Sequence, residues 1–219
     1  MKISKRLQVI GDLVSDNSFI LDIGCDHALL DIYVVQKNKN VHAVASDINE
    51  GPLKKAKENI NKYNLKDKIK LKQADGLESY EENIDTIILS GLGGVTIVDI
   101  IKNKKELLPK IKKIIISSNN NYYYLRKNIT NLNFKIESEK IVYEKGKYYP
   151  IIVFIPGKEK YNNFQLKYGP KLLKEKNQVF KNYLDYNRKK LIKIYKSLNN
   201  KYFLKKIKIK REIKMINKI

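Results

Sequence analysis

An acidic turn follows the first apolar segment of the chain, and its side chains are of types that can do chemistry. Residues 19–23 are mostly apolar, and the turn that comes next contains Gly24, Asp26 and His27. A second apolar segment ends in Asp47, about twenty residues later. Polar groups at the ends of neighbouring parallel strands are typical of a site for a nucleotide-type ligand. The spacing therefore predicts that the turn and Asp47 line one pocket.

The charge of this turn indicates which kind of ligand it binds. Dinucleotide-binding turns carry three glycines, because their backbone N–H groups must approach a pyrophosphate. Here Cys25, Asp26, His27 and Ala28 follow Gly24, and a carboxylate at this place would repel a pyrophosphate. The same carboxylate suits a cofactor that carries positive charge, and S-adenosylmethionine has both a sulfonium and an ammonium group. We therefore expect S-adenosylmethionine as the cofactor and disfavour a nicotinamide-dependent oxidoreductase.

The composition is that of a globular protein with one sizeable core and a small appendage. The chain has 219 residues, of which 42% are hydrophobic. No apolar run approaches the roughly 18 residues of a membrane span, and no signal peptide is recognisable. The single cysteine excludes an internal disulfide, and one cysteine with two histidines disfavours a metal site. We expect a monomer in the cytoplasm, with neither a membrane nor a metal among its partners.

The net charge of +22 is concentrated at one end of the chain. Residues 157–219 hold 20 basic and 4 acidic side chains, whereas the first 156 residues hold 25 basic and 19 acidic ones. A lysine-rich composition that reflects an AT-rich genome would spread the excess over the whole chain. Its concentration predicts a segment that binds a polyanion, with nucleic acid as the first candidate.

Apolar segments and helical patterns alternate along the first part of the chain. After an amphipathic helix over residues 4–15, the predicted strands are residues 19–24, 41–47, 69–74, 85–91 and 113–118, and the predicted helices are residues 28–37, 50–63, 95–108 and 122–132. Such alternation is typical of a doubly wound parallel sheet in the α/β class. Two further strands, 134–143 and 148–156, are joined by a short turn and predict a hairpin. Seven strands with an antiparallel last strand form the Rossmann-like sheet of class I methyltransferases.

The pattern beyond Gly157 is helical. Apolar residues recur at helical spacing and form a predicted seam at Leu173, Phe180, Leu184, Leu191, Ile194 and Leu198. After Asn199 and Asn200, a second and weaker pattern follows. We expect an antiparallel helical hairpin, and the alternative is one frayed helix with a disordered basic end. The predicted domains are therefore residues 1–157, which bind the cofactor, and residues 158–219, a basic coiled-coil domain that binds RNA.

Several separate blocks of the sequence resemble one known family. These blocks are Ser4-Lys5-Arg6-Leu7, Asp22-Ile23-Gly24-Cys25-Asp26-His27-Ala28, Ala45-Ser46-Asp47-Ile48-Asn49-Glu50-Gly51-Pro52-Leu53, Asp75-Gly76-Leu77, Gly91-Leu92-Gly93-Gly94 and Tyr168-Gly169-Pro170. In this order they resemble the bacterial tRNA adenine-22 N1-methyltransferases, and the resemblance covers nearly the whole chain. It implies a Rossmann-like catalytic domain, a C-terminal helical coiled-coil domain, S-adenosylmethionine as cofactor and tRNA as substrate.

The chain departs from the family pattern at three places. Asp31 stands where the family usually has proline, and Ser117-Ser118-Asn119 replaces a Q-P-N or Q-P-M segment after the fifth strand. Tyr148-Tyr149-Pro150 also differs from the family sequence. The change at residues 117–119 lies at the expected mouth of the sheet. It is therefore expected to affect how the target base is positioned more than how the cofactor binds.

The resemblance and the strand ends together imply roles in cofactor binding. Asp47 is expected to accept hydrogen bonds from the ribose hydroxyls, with Ile48 beside the adenine, although a helix cap is an alternative role for Asp47. Asp75 is placed for the adenine amino group, unless it is an ordinary turn residue. Asp22 or Asp26 should receive the ammonium group. The full predicted set is Asp22, Gly24, Asp26, Asp47, Ile48, Asp75, Gly76, Ser90 and Gly91.

The catalytic prediction concerns acceptors for developing positive charge. Adenine N1 attacks as a neutral lone pair and the product becomes cationic, so acceptors near N1 and N6 stabilise the transition state. We expect Asp26 in this role, with backbone carbonyls of residues 90–94 as an alternative, while His27 either assists proton loss from N6 or shapes the pocket. The tyrosines at 122–124 either stack on an exposed base or cover the inner face of a helix. The predicted substrate contacts are Leu92, Gly93, Gly94, Asn119 and Arg126.

Other functions compete with a tRNA adenine N1-methyltransferase. The same enzyme class could act on another RNA or on a small molecule, and the basic C-terminal segment favours RNA. An RNA-binding protein without turnover is a further alternative, which Asp22, Gly24, Asp47 and Asp75 argue against because they complete a cofactor site.

Overall fold

A seven-stranded mixed sheet organises the first of the two units of the chain. The structure is a computed structural model and describes residues 3–219, apart from the side chain of Asn200. The strands are β1 (Phe19–Ile23), β2 (His42–Asp47), β3 (Ile69–Gln73), β4 (Thr86–Ser90), β5 (Lys113–Ser117), β6 (Phe134–Glu144) and β7 (Lys147–Pro156). Their order is β3-β2-β1-β4-β5-β7-β6. The first five strands are parallel, and β7 is antiparallel to both of its neighbours. The predicted class I methyltransferase sheet is confirmed.

Helices cover both faces of this sheet. They are α1 (Lys5–Gly11), α2 (Leu29–Lys37), α3 (Glu50–Lys62), α4 (Gly94–Asn103), α5 (Tyr122–Thr130) and α6 (Asn163–Tyr168), with 3₁₀ turns at Gly76–Ser79 and Lys105–Lys110. Successive strand residues point to opposite faces, so Ile20 packs in the core beneath α1–α3, whereas Leu21 packs in the core beneath α4 and α5. Among residues 3–219, no helix is long and apolar enough to cross a membrane.

The order of the strands creates a crevice at one edge of the sheet. β1 lies between β2 and β4. After β1 the chain forms β2 and β3 on one side of it, and it then crosses over to form β4 and β5 on the other side. The loops that follow these strands therefore diverge at the carboxyl end of β1, where ligands of open α/β sheets bind. This switch point places the turn at residues 24–28 next to the ends of β2 and β4.

The last two strands form a hairpin with a two-residue turn. Lys145 and Gly146 both have positive φ angles, 48° and 77°, as a type I′ turn requires. This turn was predicted from the sequence. A β-bulge interrupts the register between Ile136 and Ser138. The hairpin completes the sheet on the side opposite to β3.

The first compact unit extends to Lys171, beyond the predicted domain end at residue 157. The buried side chain of Arg126 in α5 donates to the carbonyl oxygens of Leu166 and Lys167, at 3.1 and 3.3 Å. Glu139 in β6 accepts a hydrogen bond from the backbone N–H of Lys171 at 3.0 Å. These contacts explain why α6 belongs to the sheet unit, although the composition of the sequence already changes after Gly157.

The second unit, Leu172–Ile219, is helical. α7 (Pro170–Glu175) spans the division between the units, and α8 (Gln178–Ser197) and α9 (Phe203–Ile216) follow. The side chain of Asn177 caps α8 by accepting from the N–H of Phe180 at 3.0 Å. α8 and α9 pack against each other across a short connection, so the predicted hairpin of two helices is present.

The predicted apolar seam needs correction in its details. Leu173 lies on α7, because Lys176 adopts a positive φ of 46° and separates α7 from α8. Phe180 and Leu184 are buried, but Ile194 is 42% exposed. The seam is therefore shorter than the spacing of apolar residues indicated.

Candidate active site

A cavity of about 590 Å³ opens at the carboxyl ends of β1, β2, β3 and β4. This volume is within the usual range for sites of small molecules and cofactors. The structure brings all nine predicted cofactor residues to its wall. The lining comprises Arg6, Leu7, Asp22, Ile23, Gly24, Cys25, Asp26, His27, Leu29, Leu30, Asp47, Ile48, Asn49, Ala74, Asp75, Gly76, Ser90, Gly91, Leu92, Thr96 and Ile100.

The turn after β1 has an unusual backbone. The N–H groups of Gly24 and Cys25 both donate to the carbonyl oxygen of Ser46, each at 2.9 Å, and fix the turn to the end of β2. Gly24, Asp26 and Ala28 have positive φ angles of 75°, 52° and 54°. This conformation is unfavourable for residues other than glycine, and such strain concentrates at functional sites. The strained turn holds the carboxylate of Asp26 at the rim, where its side chain is 74% exposed.

Asp22 is the most deeply buried carboxyl group of the cavity wall. It lies in β1 and is 3% exposed. Burial raises the pKa of Asp22 well above its usual value, and the negative charges of Asp31 and Asp47 raise it further. Burial also raises the pKa of the Cys25 thiol. A thiol held protonated in this way is a poor nucleophile, so Cys25 is a packing residue of the turn.

Asp47 is the last residue of β2, and one of its carboxylate oxygens accepts a hydrogen bond from the backbone. Its Oδ1 accepts from the N–H of Asn49 at 2.9 Å, at the start of α3. The two roles considered for Asp47 are therefore compatible, since one oxygen fixes the helix start while Asp47 lines the cavity. Ile48 beside it is 58% exposed, and its backbone carbonyl accepts from the side chain of Gln73 at 3.2 Å. This arrangement presents an apolar surface next to a carboxylate.

Asp75 follows β3, the strand that pairs with β2, and also lines the cavity. It occupies the position before the 3₁₀ turn Gly76–Ser79 but makes no side-chain cap to it. Gly76 is buried with φ 51°, and a Cβ atom there would lie 3.0 Å from a methyl group of Ile100. Residue 76 must therefore be glycine, so that the chain can pass close to α4 and keep Asp75 at the edge of the cavity.

His27 lies beside Asp26 in the turn. Its Nδ1 atom is 3.4 Å from Oδ1 of Asp26 and makes no hydrogen bond. Its backbone carbonyl accepts from the side chain of Asn59 on α3 at 3.0 Å. The residue is thus held by its backbone, while its ring, with the side chain 33% exposed, faces the cavity beside Asp26.

Hydrogen bonds join the loop after β4 to the loop after β5. The side-chain amide of Asn119 donates to the carbonyl of Gly91, and its backbone N–H donates to the carbonyl of Leu92 at 2.9 Å. Asn120 accepts from the N–H of Gly94 at 3.1 Å through its side chain. The carbonyls of Gly91 and Leu92 already accept hydrogen bonds.

Four of the five predicted substrate residues do not line the cavity, and one of them requires correction. Gly94 and Asn119 serve the contact between the two loops, and Gly93 is the N-cap residue of α4. Leu92 alone of the five reaches the cavity wall. The predicted substrate contact of Arg126 is wrong. Its Nε donates to Glu139 at 2.7 Å, and both side chains are at most 2% exposed. The guanidinium therefore faces the interior.

The three tyrosines of α5 divide between the two roles considered for them. Tyr122 is half-buried and donates to the carbonyl of Ser118 at 3.0 Å. Tyr123 and Tyr124 are 37% and 38% exposed, and the hydroxyl of Tyr123 donates to Asn163. The latter two side chains are more exposed to solvent than that of Tyr122.

Arg6 is a functional candidate that the sequence analysis left without a role. It lies in α1, which begins at a cap where Ser4 accepts from the N–H of Leu7 at 3.2 Å. The guanidinium stacks 4.8 Å from the ring centre of Tyr149, and its Nε is buried without a hydrogen-bond partner. The sequence feature that could have indicated a role for Arg6 is the block at residues 4–7, which counted only as part of the family resemblance. Arg6 is the one lysine or arginine among the described residues of the cavity wall.

The fold and the cavity define a class of protein. A Rossmann-like sheet with an antiparallel β7, and carboxylates at the ends of β1, β2 and β3, is the architecture of a class I methyltransferase. A family model described as tRNA (adenine(22)-N(1))-methyltransferase, TrmK, matches residues 20–218. The chain belongs to this family.

Individual relatives agree with the family. The tRNA (adenine(22)-N(1))-methyltransferase of Bacillus subtilis is 32% identical over 187 residues, which cover 82% of this chain and 79% of that protein. The structure of M. capricolum TrmK with S-adenosyl-homocysteine has a TM-score of 0.87 and 33% identity, and covers 100% of this chain and 97% of that one. A Streptococcus pneumoniae protein solved with S-adenosyl-L-methionine has a TM-score of 0.91 and 30% identity, with 99% of both chains covered.

Proposed function

We propose that this protein transfers a methyl group from S-adenosylmethionine to N1 of adenine 22 in tRNA, the activity that names its family. The observation that carries the proposal is the acidic cavity. It joins Asp22, Asp47 and Asp75 from three neighbouring strands in a single site at the switch point of the sheet. We place the enzyme in the cytoplasm, where tRNA is modified, and infer that it acts as a monomer.

The residues of the cavity fit the cofactor by their chemistry. The cofactor supplies a methyl group on a cationic sulfonium. Asp47 accepts hydrogen bonds from the ribose hydroxyls, Ile48 packs against the adenine, and Asp75 accepts from the adenine amino group. Asp22 receives the ammonium group. Arg6, with its unpartnered Nε, binds the carboxylate of the methionine portion, because it is the one lysine or arginine among the described residues of this wall.

Asp26 is the proposed catalytic acceptor. Its carboxylate stands exposed at the rim of the cavity, which Leu92 also lines. A carboxylate at this place accepts a hydrogen bond from N6 of the target adenine and stabilises the positive charge that develops on the ring. His27, 3.4 Å from Asp26, is placed to take up the proton that N6 later loses. Alignment of N1 with the methyl group supplies the rest of the catalysis.

The second unit supports tRNA as the partner. Residues 186–211 contain eleven lysines and arginines and no aspartate or glutamate. Such a stretch attracts a phosphate backbone. N1 lies on the Watson–Crick edge, so the target adenine must be unpaired or flipped when it reacts. We infer that the helical hairpin binds the tRNA backbone while the base enters the cavity.

Incubation with unmodified tRNA and radiolabelled S-adenosylmethionine tests the proposed reaction. We expect label in 1-methyladenosine, and nucleoside mapping should place it at position 22. A matched tRNA in which guanosine replaces adenine 22 should remain unlabelled. Label at another position, or in a different RNA, would support the alternative substrates. Tight cofactor binding without any transfer would support a protein that binds RNA but does not turn over.

Asp26→Ala and Asp26→Asn test the catalytic acceptor. Both variants should retain cofactor affinity but lose at least about 100-fold in kcat, which is typical of removing one stabilising group from a transition state. His27→Asn should lower kcat less. Asp99→Asn, at an exposed site of α4 outside the cavity wall, is the control. Normal turnover by Asp26→Asn would refute the role of Asp26.

A further inference from the structure

The end of the β6–β7 hairpin carries tyrosines and lysines to which the proposed reaction assigns no role. Lys145 lies in its turn and Lys147 directly follows the turn. Beside them, the rings of Tyr143 and Tyr148 have their centres 4.7 Å apart, and Tyr143 is 53% exposed. Tyr148 belongs to a segment at which the sequence departs from the family pattern. Exposed rings beside lysines are the residue types that contact unpaired nucleic acid.

The hairpin extends past the edge of the sheet at which the cavity opens. β5 pairs with β7 only as far as Ile152, whereas β6 pairs with β7 as far as Lys147. Because β7 is antiparallel to β5, the hairpin turn lies beyond the carboxyl end of β5. The strands that line the cavity have their carboxyl ends at this same edge. The hairpin tip, residues 143–148, therefore stands at the mouth of the sheet.

Two contacts join the hairpin to the wall of the cavity. The backbone N–H of Lys5 donates to Oε1 of Glu144 at 2.7 Å. The guanidinium of Arg6 lies 4.8 Å from the ring centre of Tyr149. Both contacts involve the start of α1, and Arg6 itself lines the cavity. The hairpin is therefore held next to the cavity wall, and its acidic side chain is used within the fold.

The tyrosine pair lies on the face of the hairpin that turns towards α4 and α5. Neighbouring residues of a strand point to opposite faces, so Tyr148 points away from α1, on which Tyr149 packs. Tyr143 is directly opposite Tyr148 in the register and shares its face. Ile152 on the same face packs in the core beneath α4 and α5. The loop that leads into α4 contains Leu92 of the cavity wall, so the tyrosine pair and this loop lie on one side of the sheet.

The order of the strands separates the hairpin from the cofactor residues. The carboxylates proposed to bind the cofactor belong to β1, to β2 and to the residue after β3, whereas the hairpin lies beyond β4 and β5. An RNA strand that brings its base to the cofactor across β4 and β5 therefore passes the hairpin tip.

The charge of the hairpin tip favours RNA as its partner. Lys145 and Lys147 are both exposed, and lysines attract the phosphates of a nucleic-acid backbone. An exposed tyrosine ring can stack on any unpaired base, because every base has a π face. A second copy of this chain would bring like charges together, which is unfavourable.

We propose that the hairpin tip binds the RNA next to the target adenine, with Tyr143 stacked on a neighbouring base and Lys145 and Lys147 at the flanking phosphates. The inference rests on the proposed function, which supplies tRNA as the partner. The adenine leaves its stack in order to react, so its neighbours lose a stacking partner. The ring of Tyr143 replaces part of that contact outside the cavity.

A single tryptophan can report this contact, because the chain contains none. The emission of Tyr143→Trp should be quenched when unmodified tRNA is added, since a base stacked on the indole ring quenches it. Lys39→Trp is the control, at an exposed site before β2 and so at the opposite edge of the sheet. Its emission should not change. The measurement needs no methyl transfer.

Replacement of the ring and of the charges tests their contributions to binding. Tyr143→Ala should weaken tRNA binding roughly fivefold or more and raise the KM for tRNA, with kcat and cofactor affinity unchanged. Tyr143→Phe keeps the ring and should behave as the unaltered chain. Lys145→Gln with Lys147→Gln should reduce the salt slope of tRNA binding by about one unit. Lys39→Gln with Lys66→Gln removes the same charge from the opposite edge of the sheet and should leave the slope unchanged.

The outcomes separate this inference from the proposed function. Unquenched emission of Tyr143→Trp, or normal tRNA affinity of Tyr143→Ala, overturns the hairpin contact. If the unaltered chain transfers no label to tRNA while Tyr143→Trp is quenched, the proposed reaction fails and the hairpin contact stands. If Tyr143→Ala converts a dimer into a monomer and binds tRNA normally, the rings cover an interface between copies and the inference is wrong. The tryptophan and lysine variants keep the test decisive if thermal unfolding shows that Tyr143→Ala folds poorly.

Discussion

Asp47 shows how one side chain serves both the fold and the ligand. Its Oδ1 atom fixes the start of α3 through the N–H of Asn49, while the residue lines the cavity. A hydrogen bond that involves a charged group contributes about 1.5–3 kcal/mol. Loss of the contacts to the ribose hydroxyls should therefore weaken cofactor binding by roughly 10- to 150-fold.

Asp47→Ala is expected to show this loss in calorimetry with S-adenosylhomocysteine. Asp99→Ala, which removes an exposed carboxylate from α4, is the matched control and should bind normally. Equal affinity of Asp47→Ala and the unaltered chain would mean that Asp47 only caps α3.

Asp31, a fully buried residue in the first turn of α2, affects the stability of the fold. Its pKa of about 7 in the folded state is higher than the value near 3.9 of a solvated aspartate. The folded state therefore binds the proton more tightly than the unfolded state, and stability falls as the pH rises from about 4 to 7. Replacement of the carboxyl group removes this loss.

Asp31→Asn should therefore be more stable than the unaltered chain by about 4 kcal/mol at pH 8, and the gain should nearly vanish near pH 4. Thermal unfolding at both pH values measures it, with Asp67→Asn at an exposed site as the control. A gain of the same size at both pH values would show that the effect does not come from titration of Asp31.

The elements at the edge of the sheet are joined by one buried ion pair. Arg126 of α5 and Glu139 of β6 lie 2.7 Å apart, and together they also bind the backbone of residues 166, 167 and 171. Removing one member leaves the other charged and unpaired in the interior. Arg126→Ala should therefore destabilise the protein by about 3–5 kcal/mol.

Denaturant unfolding measures this effect, and Lys127→Ala, its exposed neighbour, should change stability by less than about 0.5 kcal/mol. The double variant Arg126→Met with Glu139→Leu should recover much of the loss, because an apolar pair needs no counter-charge. If Arg126→Ala lost RNA affinity without losing stability, the residue would be a substrate contact after all.

The turn between α8 and α9 and the first residue of α9 carry exposed aromatic rings among lysines. Phe203 is 64% exposed and Tyr202 is 48% exposed. Exposed rings in a basic segment are typical platforms on which unpaired bases stack, worth about 1–3 kcal/mol per base. Phe203→Ala is therefore expected to weaken tRNA binding by roughly 5- to 150-fold.

Filter binding or fluorescence anisotropy measures this loss. Leu204→Ala removes a side chain that is 75% exposed but has no aromatic face, so it should bind nearly normally. Equal losses in both variants would indicate general damage to the turn and not stacking.

The whole molecule carries its positive charge unevenly, and this asymmetry predicts the salt dependence of RNA binding. Exchange of the exposed lysines Lys193, Lys196 and Lys208 for glutamate should lower tRNA affinity by more than tenfold at about 0.1 M salt and reduce the salt slope by one unit or more. Cofactor affinity should not change. Arginine at the same three positions keeps the charge and is the control. An unchanged salt slope would remove the second unit from the RNA interface.

Much of the fold could be predicted because it depends on local patterns. The apolar segments defined all seven strands to within one residue at each end. The lysine-glycine turn specified the β6–β7 hairpin through its positive φ angles. The nine cofactor residues were predictable because parallel strands end at a common edge, so residues distant in sequence meet there. Local sequence was sufficient where chemistry followed directly from a strand end.

Long-range contacts could not be predicted in the same way. Arg126 looked like a basic residue free to contact RNA, and only its approach to Glu139 on another strand shows that it is buried. Arg6 had no evident role until α1 packed against the mouth of the sheet. The sequence alone therefore determined the order of elements and the acidic character of the site. The assembled fold determined which charges are buried and which remain available, because the free energy of a charge depends on the groups and the water around it.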